Sequence, residues 1–171
     1  RTQGLRANIF RIGNLTWRMA DGKFQINPDK NGFVQRCRGL FKVKAYGDRL
    51  ADYPLDFTPV DECADAFVRL CLHPKVNNIY HLMNPHTCTM EALCRRFLVR
   101  LEKLPQAVFE KRLRSRKEDA EVAVLAFYSS IASLSENVPT STAFTVEELK
   151  RLGFRWSKIG LGYLRYLKKI P

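Results

Sequence analysis

The sequence lacks the features that define several common classes of protein. It has no run of about 18 apolar residues, so no membrane-spanning helix is expected, and no apolar signal-peptide region stands at its start. Glycine and proline are not in excess, and 46% of the 171 residues are hydrophobic. This composition is typical of a globular chain with a packed core. We therefore expect a cytoplasmic protein.

Metal-binding and catalytic patterns are also missing. The five cysteines include no CxxC pair, and the three histidines show no ligand spacing. No nucleophile, base and acid form a constellation, so no catalytic residue is assigned. We expect no metal, and we expect reduced thiols packed on the apolar faces of predicted helices at Cys37, Cys63, Cys71 and Cys94.

Acidic residues are scarce relative to basic ones. Lysine and arginine number 29 against 17 aspartates and glutamates, which gives a net charge of +12. This excess favours an anionic partner, such as an acidic protein, a phosphorylated ligand, a membrane surface or nucleic acid. A solvated helix face is the alternative, and no nucleic-acid-binding signature is present. The basic residues form two clusters, at Arg95, Arg96, Arg100 and Lys103 and again at Lys111, Arg112, Arg114, Arg116 and Lys117.

What the sequence does contain is a clear order of strands and helices. Two core strands are predicted at 7–12 and 79–82, each ended by a turn signal, and a shorter strand is predicted at 55–57. Thr58, Thr89 and Thr145 are the predicted helix N-caps. The predicted helices lie at 31–44, from 59 onward, from 90 onward, in two pieces within 107–134 that break near 114, from 145 to 153 and at 158–170.

This order indicates a parallel α/β arrangement, because both longer strands are followed by helices. Two parallel strands and a small edge do not complete a doubly wound sheet, however. A parallel strand needs neighbours on both sides. We therefore expect the chain to be the back half of a larger domain, with the partners of its first strand upstream of Arg1.

Three segments occur in an order that resembles a known family. They are IFRIGNLTWRMADGKFQINPDKNGF, DFTPVDECADAFVRL and NIYHLMNP, and the closing TVEELKRLGFRWSKIGLGYLRYLKKI is similar as well. Together they resemble the C-terminal half of the thioester reductase domains that terminate nonribosomal peptide synthetases, in the extended short-chain dehydrogenase/reductase class. The resemblance spans about residues 5–170.

The resemblance implies both a fold and a chemistry. The fold is the last strands of a partial Rossmann-type parallel sheet over 1–84, followed by a mostly helical substrate-binding subdomain over 85–171. Family members bind NADPH and reduce the thioester of a chain held through phosphopantetheine on a carrier protein. They release an aldehyde or, after a second hydride, an alcohol. The implied partners are the carrier protein and the upstream half of the domain.

The chain departs from the family in the parts that carry catalysis. It contains no GxxGxxG turn for the pyrophosphate. It also has no Tyr-x-x-x-Lys pair, since none of its six tyrosines is followed by lysine four positions later. We expect the chain alone to bind no NADPH, to be inactive, and to self-associate or rearrange its first strand.

Candidate site residues follow from the family's architecture. Gly13 and Asn14 end the first strand, whose carboxyl end lies beside the nicotinamide in the family; a plain Gly-Asn turn is the alternative. Capping and backbone hydrogen bonds suffice to explain Asp56 and Asp61. Apolar side chains that could line a pantetheine or acyl slot, with core packing as the alternative, are Trp17, Met19, Phe24 and Phe33. The candidate docking face for an acidic carrier is the cluster Arg95, Arg96, Arg100 and Lys103, or else the cluster at 111–117.

Two other functions stay open at this point. One is a non-enzymatic module that binds an acidic partner protein, and the other is a nucleic-acid-binding module. A GxxGxxG motif within about 200 residues upstream of Arg1, in a strand–turn–helix context, would decide for the reductase.

Overall fold

The computed structural model describes residues 4, 7–73, 75, 77–97, 100–134 and 140–170, with side chains at all of these positions except 96, 97 and 131–134. The α-helices are α1 (Gly32–Val43), α2 (Val60–Leu72), α3 (Met90–Phe97), α4 (Gln106–Arg114), α5 (Ala120–Leu134), α6 (Ala143–Arg151) and α7 (Leu161–Leu164). Short 3-10 helices lie at Pro28–Lys30, Asp48–Leu50 and Arg165–Lys169.

The strands are short and pair two by two. They are β1 (Ile9–Ile12), β2 (Leu15–Thr16), β3 (Ala45–Gly47), β4 (Pro54–Leu55), β5 (Thr58–Pro59), β6 (Ile79–Leu82), β7 (Cys88–Thr89) and β8 (Glu102–Leu104). β1 runs parallel to β6, with Ile9 opposite Ile79 and Ile12 opposite Leu82. β2 with β5 and β3 with β8 are also parallel, whereas β4 and β7 are antiparallel. The predicted α/β class, a partial Rossmann-type sheet with a helical part, is confirmed.

The chain folds as two compact units, and each is built from separate stretches of sequence. The first unit comprises Arg1–Phe24, Asp56–Thr87 and Pro139–Ile159. The second unit comprises Gln25–Leu55, Cys88–Val138 and Gly160–Pro171. The sequence predicts two contiguous parts divided at residue 84. Compared with the two units, that division assigns residues 25–55, 85–87 and 139–159 to the other part.

In the first unit, α2 and α6 pack against β6. Cys63, Ala66 and Leu70 recur at helical spacing on α2 and are buried, as an amphipathic helix requires. Tyr80 and Leu82 of β6 are 0% exposed. The rest of this core is formed by Leu149, Phe154 and Trp156.

In the second unit, α1 packs along α5, and α4 packs against β3. Gly39 makes the first of these contacts possible, because a Cβ at this position would lie 2.7 Å from the carbonyl oxygen of Glu121. The glycine therefore lets the two helices approach closely. The core between these elements includes Leu40, Val43, Tyr46, Leu104, Phe109, Leu113, Val122 and Leu125.

The three predicted threonine caps have different outcomes. Thr89 accepts a backbone N–H from the first turn of α3, as predicted. The prediction that Thr58 caps α2 is wrong, because its hydroxyl donates to Asp56 instead and α2 has no side-chain cap. Thr145 is also wrong as a cap, since it lies inside α6, where its hydroxyl accepts the N–H of His81.

Several other predictions of local structure can be compared with the observed elements. The predicted helix at 31–44 is confirmed as α1, and Gly153, at φ 74°, follows the end of α6 as predicted. The cap of α1 is Asn31, which was not predicted. The break between α4 and α5 is confirmed. The prediction of a strand at 55–57 is wrong, because Asp56 and Phe57 form a buried link between β4 and β5. β3 and β8 were not predicted.

The last helix is shorter than the sequence pattern predicts. Only α7 and the following 3-10 helix form within 158–170. Gly160, which directly precedes α7, explains the late start, because glycine has a high entropic cost in a helix.

The described part of the chain contains no helix long and apolar enough to cross a membrane, and no group of side chains that could hold a metal ion. None of the five cysteines, all of which lie in the described part of the chain, forms a disulfide bond. Burial raises the pKa of the Cys37 thiol to about 12. Cys71 is exposed, which corrects its expected core position, because α2 also carries apolar residues on its outward face.

Candidate functional site

The carboxyl ends of β1 and β6 meet a cluster of buried polar side chains. Gly13 and Asn14 follow β1, and Asn84 lies just beyond β6, so the parallel pairing brings them to the same edge. The N–H of Gly13 donates to the carbonyl of Leu82 at 3.0 Å, which extends the ladder beyond β1. Ligands of open α/β sheets bind outside the carboxyl ends of strands. This edge is therefore the candidate site.

Asp56 lies at the centre of the cluster. Its Oδ2 accepts the N–H of Asn14 at 2.6 Å, and its Oδ1 accepts the hydroxyl of Thr58 at 2.7 Å. The Thr58 hydroxyl oxygen in turn accepts the N–H of Asn84 at 3.0 Å. The segment before α2 thus links the end of β1 to the end of β6.

The Asp56 carboxylate lies in a poorly solvated place, since the residue is 8% exposed. Burial raises the pKa of Asp56 above its ordinary value, although the hydrogen bonds from Thr58 and Asn14 act in the opposite direction. Burial also raises the pKa of the nearby Cys63 thiol to about 11, and the charge of Asp56 adds to that effect. Both Asp56 oxygens already accept hydrogen bonds, so the carboxylate joins chain segments together.

Asn84 connects the cluster to a later part of the chain. Its side-chain amide donates to the carbonyl of Ser157 at 3.0 Å, and its side-chain oxygen accepts the N–H of His86 at 2.9 Å. The N–H of Ser157 donates to Glu62, in the first turn of α2, at 3.2 Å. Four separate segments of the first unit therefore meet at this edge.

A second carboxylate, Asp61 in the first turn of α2, holds the loop that follows β2. Its Oδ1 accepts the N–H of Met19 at 2.8 Å, and its Oδ2 accepts the N–H of Ala20 at 3.1 Å. Burial acts to raise the pKa of Asp61, but backbone hydrogen bonds from Met19, Ala20 and Glu62 outweigh it and lower the pKa. The predicted backbone hydrogen bonds to Asp56 and Asp61 are confirmed. The predicted capping is not, because α2 has no side-chain cap.

The predicted slot residues divide between the two units. Trp17 and Phe24 lie together in the first unit, with ring centroids 5.2 Å apart, and Trp17 is buried. Met19 is half-buried in the same loop. Phe33 belongs to the second unit, in the first turn of α1. The substrate role of these residues remains a prediction.

The Asp56 side chain leaves no room for a side chain on residue 13, which is glycine. A Cβ on residue 13 would lie 2.1 Å from Asp56 Oδ2 and 2.9 Å from Thr58 Oγ1, so protein atoms already fill the space that a side chain would need. The N–H groups of Gly13 and Asn14 are both used within the chain. These two N–H groups are therefore not available to a cofactor phosphate. The cofactor role of Gly13 and Asn14 remains a prediction.

The fold matches solved reductase domains of nonribosomal peptide synthetases. An archaeal thiolation-reductase di-domain is 27% identical, with a TM-score of 0.80 over 99% of this chain. The reductase domain of the aureusimine biosynthetic cluster is 23% identical, with a TM-score of 0.81 over 99% of this chain. A reductase domain from Mycobacterium tuberculosis is 16% identical, with a TM-score of 0.62 over 95% of this chain. No protein-family model and no curated protein matches.

The chain is similar to the C-terminal half of a thioester reductase domain. The resemblance seen in the sequence is thereby confirmed. The chain spans less than half the length of the solved chains it matches, namely 36% of the archaeal di-domain and 45% of each of the other two.

The predicted docking cluster of this reductase-like chain lies on α3 and around β8, in the second unit. Arg95 and Lys103 share one acid: Arg95 donates a hydrogen bond to Glu91, and the Lys103 ammonium lies 3.5 Å from the same carboxylate. These two cations lower the pKa of Glu91, Arg95 through the hydrogen bond and Lys103 through its charge. Arg100 is exposed, and the side chain of Arg96 lies outside the described residues.

The second basic cluster is more extensively paired within the chain. Its ion pairs join Arg112 to Glu102 at 2.9 Å, Arg114 to Glu110 at 3.9 Å and Lys117 to Glu118 at 4.0 Å. Arg116 donates to the carbonyl of Lys42 at 2.8 Å. Much of its charge is therefore balanced locally.

Sequence reasoning missed Thr58 and Asn84 as members of the polar edge. Two signals could have indicated them. Thr58 stands two residues after Asp56, and Asn84 stands two residues after a predicted parallel strand, where polar side chains gather at the carboxyl edge. The link from Asn84 to Ser157 had no signal, because 73 residues separate the two.

Proposed function

We propose that the chain is the substrate-side part of an NADPH-dependent thioester reductase domain, which releases a carrier-bound peptide as an aldehyde or an alcohol. The observation that carries this proposal is the likeness to the archaeal thiolation-reductase di-domain, at 27% identity over 99% of the chain. In that protein a thiolation domain and a reductase domain occur together. The same combination is proposed for the protein in which this chain acts.

The polar edge of the first unit supports the proposal. It lies at the carboxyl ends of two parallel strands, the usual position of a ligand in an open α/β sheet. The loop that leaves this edge carries Met19, which is half-buried, next to the buried Trp17. The apolar side chain of Met19 suits a pantetheine arm or an acyl chain. This loop is the proposed contact with the tethered substrate.

NADPH would supply the hydride that reduces the thioester carbonyl. The glycine-rich phosphate turn and the Tyr-Lys pair that the family uses are absent from this sequence. We assign them to another segment of the intact domain. Gly13 and Asn14 are proposed to lie beside the nicotinamide, without donating their N–H groups to it.

The proposed partner is a phosphopantetheinylated carrier protein, and charge supports this choice. The chain carries a net charge of +12, and carrier proteins of this family are commonly acidic. Charge complementarity of this kind mainly raises the association rate. Arg95, Arg96, Arg100 and Lys103 are the proposed docking face.

The first test is calorimetric titration of the chain alone with NADPH. No binding at micromolar concentrations is expected, because no glycine-rich turn presents backbone N–H groups to the pyrophosphate. Micromolar binding would contradict the assignment of the cofactor cradle to another segment.

The second test concerns the coding frame upstream of Arg1. We expect a GxxGxxG motif there, and a polypeptide that joins that segment to this chain should oxidise NADPH when an acylated carrier is added. The released product would be identified by mass spectrometry. A joined protein that binds the carrier but oxidises no NADPH would instead favour a non-enzymatic binding module.

A further inference from the structure

The loop at residues 14–20 is fastened to one short stretch of chain at three successive points. Asp56 accepts the N–H of Asn14 at 2.6 Å at the start of the loop. β2 then pairs with β5, where Thr16 lies opposite Pro59. Asp61 finally holds the end of the loop through two backbone N–H groups. Residues 56–61 therefore contact the loop at its start, its middle and its end.

Both ends of the loop depend on carboxylates. Three backbone N–H groups, those of Asn14, Met19 and Ala20, donate to Asp56 and Asp61. Hydrogen bonds to an ionised acceptor are shorter and about twice as strong as neutral ones. The two carboxylates therefore contribute more to the loop conformation than ordinary backbone bonds would.

The next part of the chain is closed by its own turn. The N–H of Arg18 donates to the carbonyl of Lys23 at 2.9 Å, and the N–H of Gly22, at φ 68°, donates to the carbonyl of Arg18 at 3.0 Å. Trp17 and Phe24 pack together on either side of this turn. The Asp61 carboxylate thus accepts hydrogen bonds from the turn that lies next to the aromatic pair.

We propose that Asp56 and Asp61 are positioning residues, which fasten the 14–20 loop to the start of α2 in the conformation that the tethered acyl-pantetheine contacts. This inference rests on the proposed function. Neither carboxylate needs to touch the substrate, since the oxygens of both are engaged with the protein. They act through the loop that carries Trp17 and Met19.

Asp61→Asn is the variant that tests the proposal. The amide keeps one acceptor oxygen but places an NH₂ group against the second backbone N–H, so one of the two loop bonds is lost. Amide hydrogen exchange at Met19 and Ala20 should accelerate by at least about tenfold. Affinity for S-octanoyl-pantetheine, measured by calorimetry, should fall by about tenfold. The melting temperature and the exchange of α6 amides should change little.

Asp65→Asn is the matched control, because Asp65 is an exposed carboxylate on the same helix that pairs with Arg69 at 2.9 Å. It should leave both loop exchange and probe affinity unchanged. Unchanged exchange in Asp61→Asn, or faster exchange with unchanged affinity, would overturn the inference alone. A wild-type chain that binds no S-octanoyl-pantetheine would overturn both the inference and the proposed function of this loop.

Discussion

The carboxylate of Asp56 occupies the space that a side chain on residue 13 would need. Its Oδ2 lies 2.1 Å from the position of a Cβ at Gly13. Gly13→Ala should therefore lower the free energy of unfolding by about 1–3 kcal/mol, because either the carboxylate or the end of β1 must move. Urea unfolding measures this. Gly160→Ala is the control, since an added Cβ there meets nothing within 4 Å; equal losses for both variants would contradict the prediction.

Glu148 should make stability depend on pH. It is 5% exposed, and Lys75 donates to it at 2.7 Å. That hydrogen bond is the main reason that its pKa lies below the ordinary 4.5, with a further contribution from the charge of Arg151. Because the pKa of Glu148 is lower in the folded state than in the unfolded state, ionised Glu148 stabilises the fold above about pH 4.5. This stabilisation is lost as the pH falls through the pKa that Glu148 has in the folded protein.

Glu148→Gln should remove that pH dependence and cost about 1–2 kcal/mol at pH 7, since Lys75 is half exposed and the pair is partly screened. Urea unfolding at pH 7 and at pH 4 provides the comparison. Glu147→Gln, at an exposed carboxylate on the same helix, is the matched control. If both variants kept the wild-type pH profile, the proposed linkage would be wrong.

Charge reversal should reveal whether α3 guides a carrier. Arg95→Glu together with Arg100→Glu is expected to slow association with a holo acidic carrier protein by about tenfold at low salt, and the effect should fade at high salt. Surface plasmon resonance measures the rate. Arg114→Glu, at a comparably exposed cation of the second cluster, serves as the control. An equal effect from Arg114→Glu would assign the steering to overall charge rather than to this face.

The first unit leaves several apolar side chains in contact with water. Val68 and Leu72 on α2 are 51% and 81% exposed, and Ile12 of β1 is 50% exposed. Strand edges and apolar patches of this kind promote association. The chain alone should therefore self-associate in a concentration-dependent way in sedimentation experiments.

The double variant Val68→Glu, Leu72→Glu should shift that equilibrium towards the monomer. Ile26→Glu is the control, because Ile26 is fully exposed but belongs to the second unit. A strictly monomeric wild-type chain would argue against the prediction.

Features set by neighbouring residues could be predicted without the structure. The strand at 79–82 was predicted at its observed bounds, and Thr89 caps α3 where expected. Hydrophobic periodicity and capping act within a few residues. The same local reasoning failed at Thr58 and Thr145, whose hydroxyls bond to groups outside their own helices.

The sequence alone determined the α/β class, the reductase resemblance and the edge at which a site is proposed, because these depend on the order of strands and on short local motifs. The tertiary structure alone decided the partners of that edge. Asp56 meets Asn14 across 42 residues, and Asn84 meets Ser157 across 73. It also assigned Phe33 to the second unit and Trp17 to the first. Such pairings are set by which packed surfaces bury the most apolar area and satisfy the most polar groups at once, and no local pattern encodes that choice.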